Sequence, residues 1–110
     1  MKKFIVIYYA PRSAEQNMQA DPEDMKGVMD AWTAWAKRCG NAMVDLGTPL
    51  GNGQRISKAG SSRSDSKIVG YTILQAESME KAKALLEGHP HLEMPGGCEI
   101  EVHESLALPM

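Results

Sequence analysis

CEIEVHESLAL, residues 98–108, alternates sharply between apolar and polar side chains. Strand side chains point to opposite faces with period two, so Cys98, Ile100 and Val102 share one face and Glu99, Glu101 and His103 the other. Helices laid on a sheet account for the first face. The second needs either water or an enclosed polar cavity, and that choice carries most of the functional question.

Two earlier stretches supply the neighbours. KKFIVIYY, residues 2–9, is β-branched and aromatic, with Phe4, Val6 and Tyr8 on one face and Ile5, Ile7 and Tyr9 on the other. KIVGYTILQA, residues 67–76, is likewise mostly apolar on both faces, and Gly70 inside it implies a bend or a close approach. Strands of this kind are covered on both sides.

Between them Asp21-Pro22-Glu23-Asp24 is a strong helix start: a capping carboxylate, proline at the first helical position and acids at the positive dipole end. Met25, Val28, Met29, Trp32, Ala36, Cys39 and Met43 follow at three- and four-residue spacing, forming one apolar stripe. Trp32 lies mid-stripe and reads as core, and Trp35 lies at its edge. Gly40 offers a left-handed stop that would make residues 43–46 a strand. Because Met43 and Leu46 stay in phase, the reading favoured is a helix running through Gly40 to Gly47, with Pro49 forbidding more. QRISK, residues 54–58, is then the second strand, anchored by Ile56, and residues 59–66 are a loop. Residues 11–20 also read as loop. Ser78 caps a second helix over residues 79–87, which Gly88 ends, and residues 89–97 form a connection in which His89 caps that helix's carboxyl end.

Strand, helix, strand, strand, helix, strand is the α+β order of a ferredoxin-like four-stranded antiparallel sheet with two helices on one face. One domain of 110 residues suits it. Two helices cover only one face, yet two strands are apolar on both. A second copy of the chain is the simplest cover, closing a dimeric α+β barrel that can leave a cavity between the sheets.

Composition narrows the function. A net charge of -2 with scattered basic residues gives no footprint for nucleic acid. No apolar run is long enough for a signal peptide or a membrane span, so the expectation is a cytoplasmic protein with no membrane partner. Cys39 and Cys98 then read as reduced thiols. The glycine turns do not make a phosphate loop, and no serine sits in a nucleophile elbow. His89, His91 and Glu93 with His103 or Cys98 match no closed four-ligand pattern, so no metal is assigned, and no cofactor.

The start KKFIVIYYA, the helix MDAWTAWAKRCG, the segment KIVGYTILQAESMEKA and the ending GCEIEVHE together resemble the YCII-related domain family, which includes proteins named for an Asp-Gly-Pro-Phe tetrapeptide. The resemblance implies a dimeric α+β barrel. In some members a histidine of the first helix and an aspartate before the third strand are proposed as an acid–base pair. Asp65, in SRSDSKIVG, is the counterpart of that aspartate, although Ser66 and Lys67 follow it and the tetrapeptide is absent. The helix histidine would fall at about Met29.

The candidate site follows. Asp65 and His103 are the candidate acid–base groups, and Tyr8, Trp35, Tyr71, His91 and Glu101 the candidate ligand contacts. The function expected is a homodimer that binds a small metabolite in a polar and aromatic pocket, with cofactor-free proton transfer as its chemistry. The alternative is a non-catalytic interaction or accessory module.

Overall fold

The computed structural model describes residues 1–17, 21–94 and 96–109. Met18, Gln19 and Ala20 of the first expected loop, and Pro95 of the later connection, lie outside the described residues. The elements are β1 (Lys2–Tyr9), a short α1 (Ala14–Asn17), α2 (Pro22–Cys39), β2 (Met43–Asp45), β3 (Gln54–Ser57), β4 (Gly60–Arg63), β5 (Ile68–Ala76), α3 (Met79–Leu85) and β6 (Glu99–Glu104). Turns of 3-10 helix at Gly40–Ala42 and Pro90–Glu93 complete them.

β2, β5, β1 and β6 form a four-stranded sheet in that order. Every pairing is antiparallel. With α2 and α3 on one face, this α+β arrangement is compatible with a ferredoxin-like fold. The register keeps the two faces apart. Phe4, Val6 and Tyr8 stand opposite Leu74, Thr72 and Gly70 on one side of β1, and opposite Glu104, Val102 and Ile100 on the other. This is the helix-covered face. Phe4, Val6 and Leu74 are fully buried there, each contributing about 1.5–3 kcal/mol by leaving water. Trp35, Cys39 and Leu86 complete the main cluster, and Ala82 of α3 packs with Phe4 and Ala76 in a smaller one.

Local chemistry explains both helix starts. Asp21 accepts from the Glu23 backbone N–H at 2.9 Å, and Pro22 fills the first helical position. Ser78 accepts from the Lys81 N–H at 3.2 Å. The end of α2 corrects the favoured expectation: the helix stops at Cys39, Gly40 takes φ 57°, and Met43–Asp45 pair with β5. Met43 kept the helical phase only because it points into the same core from a strand. The amino-terminal half of α2 is also less covered than its stripe implies, since Met25 and Val28 are half-buried and Met29 is 54% exposed.

The place of QRISK is corrected too. β3 pairs with β4, inside the expected loop, as a separate hairpin, and Ile56 is 81% exposed and anchors nothing. Its alternation is that of a small two-stranded ribbon, not of a core strand. Gly70 behaves as expected. Pro49 bridges to it, and a Cβ there would meet the Thr48 carbonyl oxygen and the Tyr8 ring, both at 3.4 Å. Cys39 and Cys98 form no disulfide.

Candidate functional site

Polar chemistry collects in two places on the sheet, one on each face. Under the helices, Tyr8 stands near the carboxyl end of β1. Its hydroxyl lies 2.7 Å from Thr72 Oγ1 and 3.1 Å from His89 Nε2. Neighbouring groups fix the direction of every bond. The His91 backbone N–H donates to His89 Nδ1 at 2.9 Å, so the His89 proton sits on Nε2 and is given to the Tyr8 oxygen. Thr72 donates its own proton to the Leu46 carbonyl at 2.7 Å, so it accepts from Tyr8. The chain runs one way, from His89 through Tyr8 and Thr72 to Leu46.

Aromatic rings enclose it. The His89 ring centroid is 4.2 Å from that of Trp35, 4.6 Å from Trp32 and 5.1 Å from Tyr8. Burial, with His91 and Arg38 nearby, pushes the His89 pKa down to about 3. Geometry points the same way, because a proton on Nδ1 would face the His91 N–H. Burial holds the Tyr8 hydroxyl above its ordinary range. His91 donates from Nε2 to the Tyr9 carbonyl at 2.8 Å. Among the described residues no buried side-chain polar atom lacks a partner. The arrangement is a satisfied, charge-free interior network. It keeps the base neutral and the phenol protonated, so its contribution is to position β1, β5 and the segment after α3.

His89 therefore does not cap the carboxyl end of α3, as expected from the sequence. Its side chain caps the following 3-10 turn, Pro90–Glu93. The α3 end is served from α2 instead: Trp35 Nε1 donates to the Leu85 carbonyl and Arg38 to that of Glu87, both at 2.8 Å. Orphan carbonyls at a helix end need such donors. Trp32 packs half-buried against the main core cluster, and Trp35 is only 3% exposed, deeper than its place at the stripe's edge implies, because this hydrogen bond draws it inward.

The opposite face of the sheet is uncovered. Ile5 stands opposite Ile73 and His103, and Ile7 opposite Tyr71 and Glu101. These apolar residues and Tyr9 are half-buried, and the β6 groups are exposed. His103 Nε2 lies 2.8 Å from Glu101 Oε1, and the Tyr9 hydroxyl donates to the same oxygen at 3.2 Å. Those bonds, His103 first, hold the Glu101 carboxyl below its usual range. Partial burial, with Glu101 beside it, pushes the Tyr9 phenol up. A carboxylate, an imidazole and a phenol thus meet at the border of an apolar sheet face. Tyr71 reaches Asp45 Oδ2 at 3.4 Å on the far side of that face.

Asp65 belongs to neither group. It is exposed and bound to Arg55 at 2.7 Å, tying the β4–β5 loop to the hairpin. Of the expected residues, Glu101 and His103 are brought together. Tyr8, Trp35 and His91 lie in the interior, and Tyr71 and Asp65 stand apart. Tyr9, Thr72 and His89 were missed as polar participants. Only the pairing of β1 with β6 could have singled out Tyr9. A shallow cleft of about 820 Å³ runs between α2 and residues 88–94, with Trp35 and Arg38 in its wall, and a second, of about 450 Å³, opens beside the 64–67 loop. Neither holds two of the expected site residues. No group of three or more metal-ligating side chains occurs among the described residues, and no helix there is long and apolar enough to cross a membrane. The sequence matches no protein-family model and no curated protein.

Proposed function

We propose that the protein works as a homodimer whose open sheet faces meet, enclosing Tyr9, Glu101 and His103 at the edge of a cavity for a small carbonyl-bearing or aromatic metabolite. The observation that carries this reading is the Tyr9–Glu101–His103 cluster at the border of an uncovered apolar face. Water alone does not ask for Ile5, Ile7 and Ile73 beside it. The resemblance to the YCII-related family supports the same dimeric barrel.

Inside such a cavity Glu101 orients the His103 ring through the 2.8 Å contact with its Nε2. Imidazole is the side chain suited to exchanging a proton near neutral pH. The chemistry available is abstraction or return of a proton next to a carbonyl, without a cofactor. Asp65 stays outside this assignment because Arg55 holds it.

Thermal-shift measurements over small aromatic acids and ketones at several pH values test the reading. At least one compound stabilises the chain, and His103→Gln and Glu101→Gln each abolish that stabilisation while leaving the ligand-free melting temperature within a degree or two. Stabilisation untouched by both substitutions overturns the assignment.

The second reading is a non-catalytic module whose sheet face docks a second copy. It is favoured by the two clefts, neither of which holds two of the expected site residues. A well-folded dimer that no compound stabilises selects it.

A further inference from the structure

The 450 Å³ cleft beside the 64–67 loop has a charge balance unlike that of the whole chain, which carries 14 acidic and 12 basic residues. Its described lining includes two cations, Arg63 and Lys67, and no carboxylate. Neither cation takes part in the ion pairs of the described residues, which use Lys2, Arg55, Lys83 and His103. The nearest carboxylate in sequence, Asp65, is engaged by Arg55 at 2.7 Å and does not line the cleft. Among the described residues, no carboxylate compensates these two cations in the cleft.

The walls are held by backbone hydrogen bonds. Ala10 N–H donates to the Lys67 carbonyl and Leu50 N–H to that of Val69, each at 3.0 Å, while Ser64 N–H donates to Gly53 at 2.9 Å. The Ser64 hydroxyl accepts from the Ser66 N–H at 3.1 Å, and the Ser66 hydroxyl from the Ile68 N–H at 3.3 Å. Both oxygens are occupied as acceptors, which leaves their hydrogens to donate. The floor is small and apolar: Ala10 and Ala14 are 5% and 7% exposed, with Ile68 and Val69 beside them. The volume lies within the usual range of small-ligand sites, about 300–1,000 Å³.

From this we infer that the cleft binds a small organic anion, its carboxylate or phosphate held by Arg63, Lys67 and the serine hydroxyls and its compact apolar body resting on Ala10, Ala14 and Ile68. Guanidinium and ammonium groups with hydroxyl donors are the chemistry that recognises such a head group. The site is separate from the Tyr9–Glu101–His103 cluster and stands whether or not that reading holds.

Amide chemical-shift titrations of the whole chain test it, with benzoate, phenyl phosphate, inorganic phosphate and neutral benzyl alcohol as probes. Benzoate or phenyl phosphate shifts the amides of Ala10, Ser64, Ser66 and Lys67, and whichever binds more tightly names the head group. Inorganic phosphate binds more weakly than phenyl phosphate, and benzyl alcohol leaves those amides unmoved. The Arg63→Gln/Lys67→Gln double variant weakens binding by about tenfold or more, as loss of two charge-assisted contacts requires. Arg63→Lys/Lys67→Arg retains most of it, which guards against a folding defect. Equal affinity in the double glutamine variant, equal binding of benzyl alcohol, or no shift with either aromatic anion at millimolar concentration overturns the inference.

Discussion

Replacing Tyr8 by phenylalanine removes one oxygen from the sheet interior, and two neighbours lose a partner. His89 Nε2 is left holding a buried proton with no acceptor, and Thr72 loses the donor it accepts from. A buried group stripped of its hydrogen bond costs about 1–3 kcal/mol, which is the destabilisation expected for Tyr8→Phe in urea unfolding. The pH dependence belongs to His89. Its folded pKa, about 3, lies below the ordinary 6.5, so between those values the unfolded chain binds a proton that the folded chain refuses. Stability therefore falls as pH drops through that window, by at most about 1.4 kcal/mol per pH unit. Glu101 acts in the same direction at lower pH: its depressed carboxyl contributes above its ordinary 4.5 and is lost on further acidification. His89→Gln, which can donate to Tyr8 and accept from His91, should flatten the urea midpoint between pH 6.5 and about 5 while leaving the steeper acid limb. An unchanged profile in that variant would assign the dependence elsewhere. Little of this network was legible from composition. A histidine beside a proline after a helix has the same local pattern whether it caps that helix or turns into the core. Only the packing of Trp32 and Trp35 over β1 decides.

The elements were legible where their local chemistry was one-sided. Asp21-Pro22 and Ser78 start their helices as the residues require, and the strands at residues 2–9 and 67–76 fall within one residue of their reading. The stretch from Gly40 to Gly47 was not legible in this way, because Met43, in phase with the helix, also suited a short strand meeting the same core, while Leu46 is exposed. Gly47 shows what holds that stretch. It takes φ 80°, and a Cβ there would run into the Tyr71 carbonyl oxygen. Gly47→Ala combines backbone strain with a collision against a strand that cannot move, so a loss of more than about 2 kcal/mol is expected in urea unfolding. Gly40→Ala has open space around its Cβ, and only the backbone, at φ 57° and ψ -127°, opposes it, so it should cost about 1–3 kcal/mol and less than Gly47→Ala. Equal losses at the two glycines would remove the close approach of β2 to β5 as the explanation.

At the scale of the whole molecule, the sheet and its helices make a slab. The extents are 44 × 36 × 20 Å, and the radius of gyration is 15.3 Å against about 13 Å for a compact domain of this length. Half-buried Ile5, Ile7, Tyr71 and Ile73 lie on its open side, next to the place where Glu101, His103 and Tyr9 bring a carboxylate, an imidazole and a phenol together on the surface. The two-faced strand at residues 98–104 is thereby explained in part: Ile100 and Val102 lie under the helices as the alternation requires, and Glu101 and His103 stand on the side left open. The apolar character of that side was legible from two strands; which polar groups gather there depended on how β6 pairs with β1. Light scattering on size-fractionated protein, with Ile7→Glu beside the parent chain, tests the pairing of open faces directly. A parent mass of twice 12.0 kDa that falls to 12.0 kDa in the variant is expected. A monomeric parent chain, or a dimer that Ile7→Glu leaves intact, would contradict it.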